Sequence, residues 1–231
     1  MLSAEEWQIV ALSLKVGAVA IALTLPVAFV LAWVLARGRF RGIVLLDALV
    51  HLPLVLPPVV TGWLLLIAFG PAGPVGRVLS QVFGITLLFR WTGAALAAAV
   101  MSLPLMVRAI RLSIEAVDTR LEQAARTLGA GPWRTFATIT LPLSLPGVLA
   151  GVVLGLARSL GEFGATITFA SNIPGETRTL PLAIYAALQA PGGDAMVWRL
   201  AAISVVLSLA ALVASEALGR RTGMGRHGHV L

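Results

Sequence analysis

Five apolar stretches, each long enough to cross a bilayer, constrain this chain more than any other feature: Ile9 to Ala36, Leu49 to Phe69, Trp91 to Val107, Leu145 to Phe169 and Val197 to Leu218. The hydrocarbon core is about 30 Å thick and a helix rises about 1.5 Å per residue, so a span needs about 20 mostly apolar residues. The expected fold is an all-α membrane protein of five transmembrane helices. Composition agrees: 58% of residues are hydrophobic, 12% are charged and the mean hydropathy is +0.95, against roughly 25% charged in soluble domains. The 17 basic residues outnumber 10 acidic ones, but the arginines fall between apolar runs instead of along one polar face. That pattern points to membrane lipid and not to nucleic acid. Cysteine is absent, which excludes a disulfide framework, a thiolate metal site and a cysteine nucleophile. Glu5 and Glu6 stand where a secretory signal carries lysine or arginine, and the first apolar run is long, so that run reads as a retained span.

Basic residues in the connections set the expected orientation. Arg37, Arg39 and Arg41 follow the first span; Arg108, Arg111, Arg120, Arg126 and Arg134 follow the third; Arg220, Arg221 and Arg226 follow the fifth. The other side keeps Arg77, Arg90, Arg178 and the interfacial Arg199. This places the N-terminus outside and the C-terminus inside, in keeping with an odd number of spans.

Local breakers mark particular spans. Pro53, Pro57 and Pro58 remove backbone donors from the second, which predicts a kink or an interruption facing protein or a cavity. Gly147, Gly151, Gly155 and Ser159 recur every four residues in the fourth, a smooth helix-packing stripe that lets another helix approach closely. Packing without a part in conduction is the simpler reading of that stripe. Ser204 and Ser208 repeat the signal more weakly. The loops Gly70 to Arg90 and Ala170 to Met196 are rich in glycine and proline, with Leu180 to Gln189 apolar enough for a short interfacial helix. His227 and His229 lie on a glycine-rich tail, which argues against a metal site.

Between the third and fourth spans lies a helical hairpin. Asp118 suits an N-cap, and Leu121, Ala124, Ala125 and Leu128 fall at i, i+3, i+4 and i+7, with Glu122, Gln123, Arg126 and Thr127 opposite. Gly129 suits a left-handed stop, Pro132 the first turn of a second helix ending near Ile139, and Leu141-Pro142 a break before Pro146 starts the fourth span. Such an object can seat in a partner's cleft and pass on its movement, or lie on headgroups with its arginines toward anionic lipid.

The segment Gln123-Ala124-Ala125, then Gly129, Ile139, Leu141 and Pro142 in register, resembles the EAA loop of permeases from binding-protein-dependent ABC importers. Gln123 replaces the family's usual glutamate, with Glu122 one place earlier. The runs Leu121 to Ala130, Ala157 to Phe169 and Ser171 to Thr179 are similar to molybdate importer permeases, with sulfate permeases the nearest relatives. The resemblance implies a type I (MetI-like) permease fold, one transmembrane permease domain over residues 1–231 with a cytoplasmic coupling loop at 118–142. It implies a homodimer in the bacterial inner membrane, two copies of an ABC ATPase subunit inside and a periplasmic molybdate-binding protein outside. It assigns ATPase coupling to Glu122, Gln123, Ala124, Ala125, Arg126, Gly129 and Ala130.

A phosphate-binding loop needs lysine between glycine and serine or threonine, and the only lysine, Lys15, precedes Val16. ATP and Mg²⁺ would therefore be bound by the partner, with no cofactor on this chain. Arg158 and Glu162 stand one helical turn apart where a buried charge costs at least about 2.5 kcal/mol, so pairing is expected. Either Arg158 supplies positive potential beside the path of a tetrahedral dianion while Glu162 limits its binding, or the pair holds the bundle together. Asp47 and His51 are weaker candidates. Catalytic residues are not expected, because no histidine cluster, paired carboxylates or serine–histidine set appears at useful spacing. A secondary anion carrier would show more spans, repeats and mid-membrane titratable groups. Molybdate, tungstate, sulfate and thiosulfate stay unseparated by the permease residues alone.

Overall fold

The computed structural model describes residues 2–221, which form helices and no strand. Helix α1 (Ala4–Arg37) opens with a reciprocal cap: Glu6 N donates to Ser3 Oγ at 3.2 Å, and Ser3 N donates to Glu6 Oε2 at 2.7 Å. Its 34 residues make a rod about 51 Å long. Two helices, α2 (Ile43–Val55) and α3 (Pro58–Phe69), meet at a bend of 115°. After α4 (Pro74–Phe83), α5 (Trp91–Glu115) runs beside α1 in the same direction, so that Thr24 nears Ala99 and Leu35 shares a core with Ile114. Next come α6 (Thr119–Thr127), α7 (Pro132–Thr135), a π turn at Phe136–Thr140 and α8 (Leu141–Leu160). The chain finishes with α9 (Gly164–Phe169), α10 (Leu180–Leu188) and α11 (Asp194–Arg221).

Four helices are long and apolar enough to cross a membrane, and the bent pair α2–α3 makes a fifth crossing if taken together. The five expected spans correspond to these four helices and the bent pair, with two revisions. The second begins at Ile43 and is split at Leu56-Pro57: Pro57 cannot continue the ladder, and Pro58 starts a fresh helix where its missing N–H costs nothing. The fourth does not run from Leu145 to Phe169. Its helix is continuous from Pro132 to Leu160, and Gly164–Phe169 is a separate segment. Leu141-Pro142 does not break it. The Leu141 N–H reaches back to Phe136 O across the π turn, and this shifted register already leaves a carbonyl free where proline offers no donor.

The segment expected as a short interfacial helix, Leu180 to Gln189, is helical over Leu180–Leu188, with one face packed on the bundle and Tyr185 and Leu188 exposed. Leu180, Leu182 and Ala183 of α10 are buried, and Leu180 N donates to Ser13 Oγ of α1 at 2.8 Å. Glycine and proline between Gly70 and Arg90 frame an unforeseen helix, α4, which Gly84 closes at φ +64°. Arg226, His227 and His229 lie outside the described residues.

The core sits where α1, α5 and α8 touch, around Ile21, Ala28, Met106, Ile110 and Ile114. Gly147, Gly151, Gly155 and Ser159 are buried in that seam. A Cβ on Gly147 would collide with Ser113 Cβ, and one on Gly155 would stand 2.7 Å from Met106 Sδ and 2.8 Å from Ile21 Cδ1. Ser159 lies beside Gly17. The top of α8 thus ends level with Gly17, about 20 Å short of the start of α1 by helical rise. The short helices α9 and α10 and the loop between them fill the remaining depth.

Candidate functional site: the capped hairpin and the broken-helix junction

The hairpin is built from local rules. Asp118 caps α6 by accepting from Arg120 N at 2.9 Å. At the other end Gly129 N donates to Arg126 O and Ala130 N to Ala125 O, both at 3.0 Å, with Gly129 at φ +84°. This is a Schellman stop, which needs a residue without a Cβ penalty in the left-handed region. None of the α6 residues is buried. Leu121 and Leu128 are 48% and 89% exposed, and Trp133 at the start of α7 is 80% exposed. Gln123, Ala124 and Arg126 also face outward, while Ala125 and Ala130 are half-buried. The apolar stripe of α6 therefore points away from the chain that carries it.

Glu122 does the opposite. Its Oε1 accepts from Arg37 Nη2 at 3.0 Å and from Thr140 Oγ1 at 2.8 Å. Arg37 Nη2 also lies 3.2 Å from Ile114 O and 3.4 Å from Val117 O. Sequence reasoning placed Glu122 on the exposed polar face and read Arg37 only as an orientation charge. The two are 85 positions apart, and no local pattern marks the partnership. Beside the pair is a cavity of about 300 Å³ lined by Ala36, Arg37, Gly38, Arg39, Thr119, Glu122, Gln123 and Arg126. Around the hairpin's second arm Phe136 packs edge-on against Trp33, with centroids 4.9 Å apart.

The second feature lies at the far end of α8, about 30 Å away by helical rise. Arg158 Nη1 stands 2.7 Å from Glu162 Oε2, an ion pair that falls short of hydrogen-bond geometry. Glu162 is not on the span, as the sequence reading had it, but in the turn just beyond it, and is 2% exposed. Its other oxygen accepts from Ala165 N at 2.8 Å and so caps the first turn of α9. The pair stitches the end of one helix to the start of the next. Arg158 in the last turn of α8 also faces the negative end of that helix's dipole.

This corner meets the other break in the bundle. A Cβ on Gly164 would lie 2.6 Å from Pro58 Cβ, and one on Gly62 would lie 2.7 Å from Ala165 O and 2.8 Å from Thr168 Cβ. The bend between α2 and α3 and the corner between α8 and α9 are thus packed back to back, with backbone close to backbone. Asp47 and His51 stand apart from this corner, toward the start of α2. Arg111 Nη1 reaches Asp47 Oδ1 at 3.0 Å and Arg111 Nε reaches Glu115 at 2.8 Å, which ties α2 to α5. His51 Nδ1 lies 2.9 Å from Asp47 O, within the same helix.

The model of the family described as binding-protein-dependent transport system inner membrane component matches residues 9–224. The chain is 60% identical over 220 residues to a molybdenum transport system permease protein of Escherichia coli K12, covering 95% of this chain and 96% of that one. It is 58% identical to the Haemophilus influenzae protein of that description, over 91% and 92% of the two chains. A sulfate transport system permease protein of Escherichia coli K12 is 39% identical, over 83% and 70%. Among solved structures, a chain of an inward-facing methionine ABC transporter aligns with a TM-score of 0.68 at 18% identity, covering 94% of both chains. One from a bacterial alginate ABC importer aligns at 0.70 and 17%, covering 99% and 82%.

Proposed function

This chain belongs to the family of binding-protein-dependent transport system inner membrane components and is an ABC importer permease subunit; from that premise we propose that its cargo is molybdate. The observation that carries the proposal is identity of 60% along nearly the whole chain with a molybdenum permease. The anion arrives from a periplasmic binding protein and crosses between two copies of the chain in the bacterial inner membrane, with the N-terminus outside and the hairpin inside. Two ATPase subunits bind ATP and Mg²⁺; this chain binds neither and catalyses no reaction.

The hairpin supports the coupling half of this reading. A small helix capped at both ends and carrying Leu121 and Leu128 outward is rigid enough to transmit movement and apolar enough to seat in a cleft. Exposed apolar side chains of that size at one site mark an interaction surface. ATP closes the ATPase pair, the hairpins follow, and the paired bundles exchange inward for outward access. Because the binding protein can select the anion, the permease needs only a path with mild positive potential. Arg158 supplies such potential, being a quarter exposed, while Glu162 is engaged through both oxygens and keeps its attraction moderate.

The test is uptake into liposomes holding the permease, its ATPase and its binding protein. The expected result is ATP-dependent molybdate uptake, inhibited by tungstate and far less by sulfate. Uptake that needs no ATP overturns the importer mechanism, and a preference for sulfate or thiosulfate overturns the cargo. If Arg158→Gln leaves uptake at the parental rate in a normally assembled complex, the pathway role of Arg158 falls and the pair is structural.

A further inference from the structure

We propose that Arg37 is a positioning residue that latches the hairpin to the inner end of α1, so that a push on α6 moves α1 and the start of the fourth span as one piece. The proposal rests on the reading of α6 as the coupling element.

The geometry is a four-way junction. Arg37 belongs to the last turn of α1, and one of its nitrogens lies within hydrogen-bond distance of Glu122 on α6 and of two carbonyls, Ile114 and Val117, at the end of α5. Carbonyls at a helix end have no intrahelical donor, and a guanidinium is a fitting partner for them. The same Glu122 oxygen accepts from Thr140, which is 1% exposed in the π turn that leads into α8. One guanidinium and one carboxylate therefore join the end of α1 to the end of α5, α6 and the π turn, segments at least 77 positions further along the chain.

Elsewhere α6, the first arm of the hairpin, is weakly held. None of its residues is buried, and it joins its neighbours through Ala116 to Asp118 on one side and Leu128 to Gly131 on the other, whereas the second arm is already packed through Phe136 on Trp33. Gly129 and Gly131 stand in open space among the described residues, so that linker could bend without collision. An unlatched hairpin would swing on these joints and dissipate a partner's motion. The Arg37–Glu122 pair removes that freedom. At side-chain exposures of 22% and 14% it is shielded enough for the attraction to exceed that of a surface pair. All of these Arg37 contacts are made by Nη2, which reaches Glu122 and the two carbonyls beyond it together.

The test uses the complete transporter in liposomes. Arg37→Gln and Glu122→Gln are expected to assemble with the ATPase and to hydrolyse ATP, but to consume on the order of tenfold more ATP per oxyanion imported, the size of a typical allosteric coupling. Arg37→Lys, which keeps the charge and loses the fork, should fall between. A lower yield of complex with an unchanged ratio of ATP to oxyanion overturns the latch and leaves a folding role. A measurement without latch variants decides the matter independently. Spin labels at the exposed Arg39 and Arg120 should give one distance distribution, unchanged through the nucleotide cycle, and a distribution that shifts with ATP in a transporter with normal uptake overturns the proposal. Failure of the coupling reading would look different: Leu128→Asp would leave ATPase co-purification intact.

Discussion

Two arginine–glutamate pairs anchor the two ends of the fourth span, and they differ in nearly everything but chemistry. Arg158 and Glu162 are four residues apart, with the carboxylate side chain 1% exposed. Arg37 and Glu122 are 85 positions apart and both partly exposed. The first pair closes a corner between consecutive helices; the second closes a junction among segments from distant parts of the chain. Around the first, Ala165 N satisfies one oxygen of Glu162, and Gly164 abuts Pro58. Around the second, the surface is left open, with Leu128 and Trp133 the most exposed of the large apolar side chains there. One end of the span is closed by the chain itself, and the other leaves large apolar side chains uncovered.

That contrast breaks first, if it breaks, at the seam leading to the closed end. Gly155→Leu puts its side chain into Met106 and Ile21, and we expect loss of the folded permease from membranes, measured by recovery of monodisperse protein in mild detergent. Glu162→Ala comes next: it leaves the partly exposed Arg158 guanidinium without its ion pair and the Ala165 N–H without its acceptor, at about 1–3 kcal/mol, read as a fall in thermal unfolding temperature. If that variant melts like the parent, the closed end is not held by its ion pair.

At the open end the expected effects move from stability to assembly. Leu128→Asp should change the permease's own stability by no more than about 0.5 kcal/mol, since the side chain is exposed. It should lower the affinity for the ATPase on the order of tenfold, as truncation of an apolar anchor does; equal co-purification with the parent would show that α6 meets no partner there. The smallest effect is expected from Gln123→Glu, which restores the family's usual residue on an exposed position. An exposed charge contributes up to about 1 kcal/mol, so titration of ATPase binding should shift by less than about fivefold.

These same residues show how far the amino-acid order could be read. Arg158 and Glu162 are legible as partners because helical periodicity brings i and i+4 together, although Glu162 turned out to lie past the helix end. The glycines of α8 announce a close approach without naming its target, which is Ser113, Met106 and Ile21. Asp118 and Gly129 predict the two ends of α6, because caps and left-handed stops are decided within four residues. Pro142 misled, because whether a proline breaks a helix depends on the ladder around it, and a π turn had already shifted that ladder. Leu180 to Leu188 was legible as a helix but not in its partner, Ser13 of α1, because hydropathy does not distinguish lipid from protein.

The amino-acid order alone determined that this is an all-helical membrane protein, roughly where its spans lie, and that a capped polar hairpin interrupts them. Those properties depend on hydropathy, periodicity and capping, each of which acts over a few residues. Only the tertiary structure decided that Glu122 turns inward to Arg37 while its neighbours face out, and that the two interrupted helices place their breaks against each other at Pro58 and Gly164. Such pairings follow from which surfaces pack once the spans assemble, and a side chain's partner across the bundle leaves no periodic trace near it in the chain.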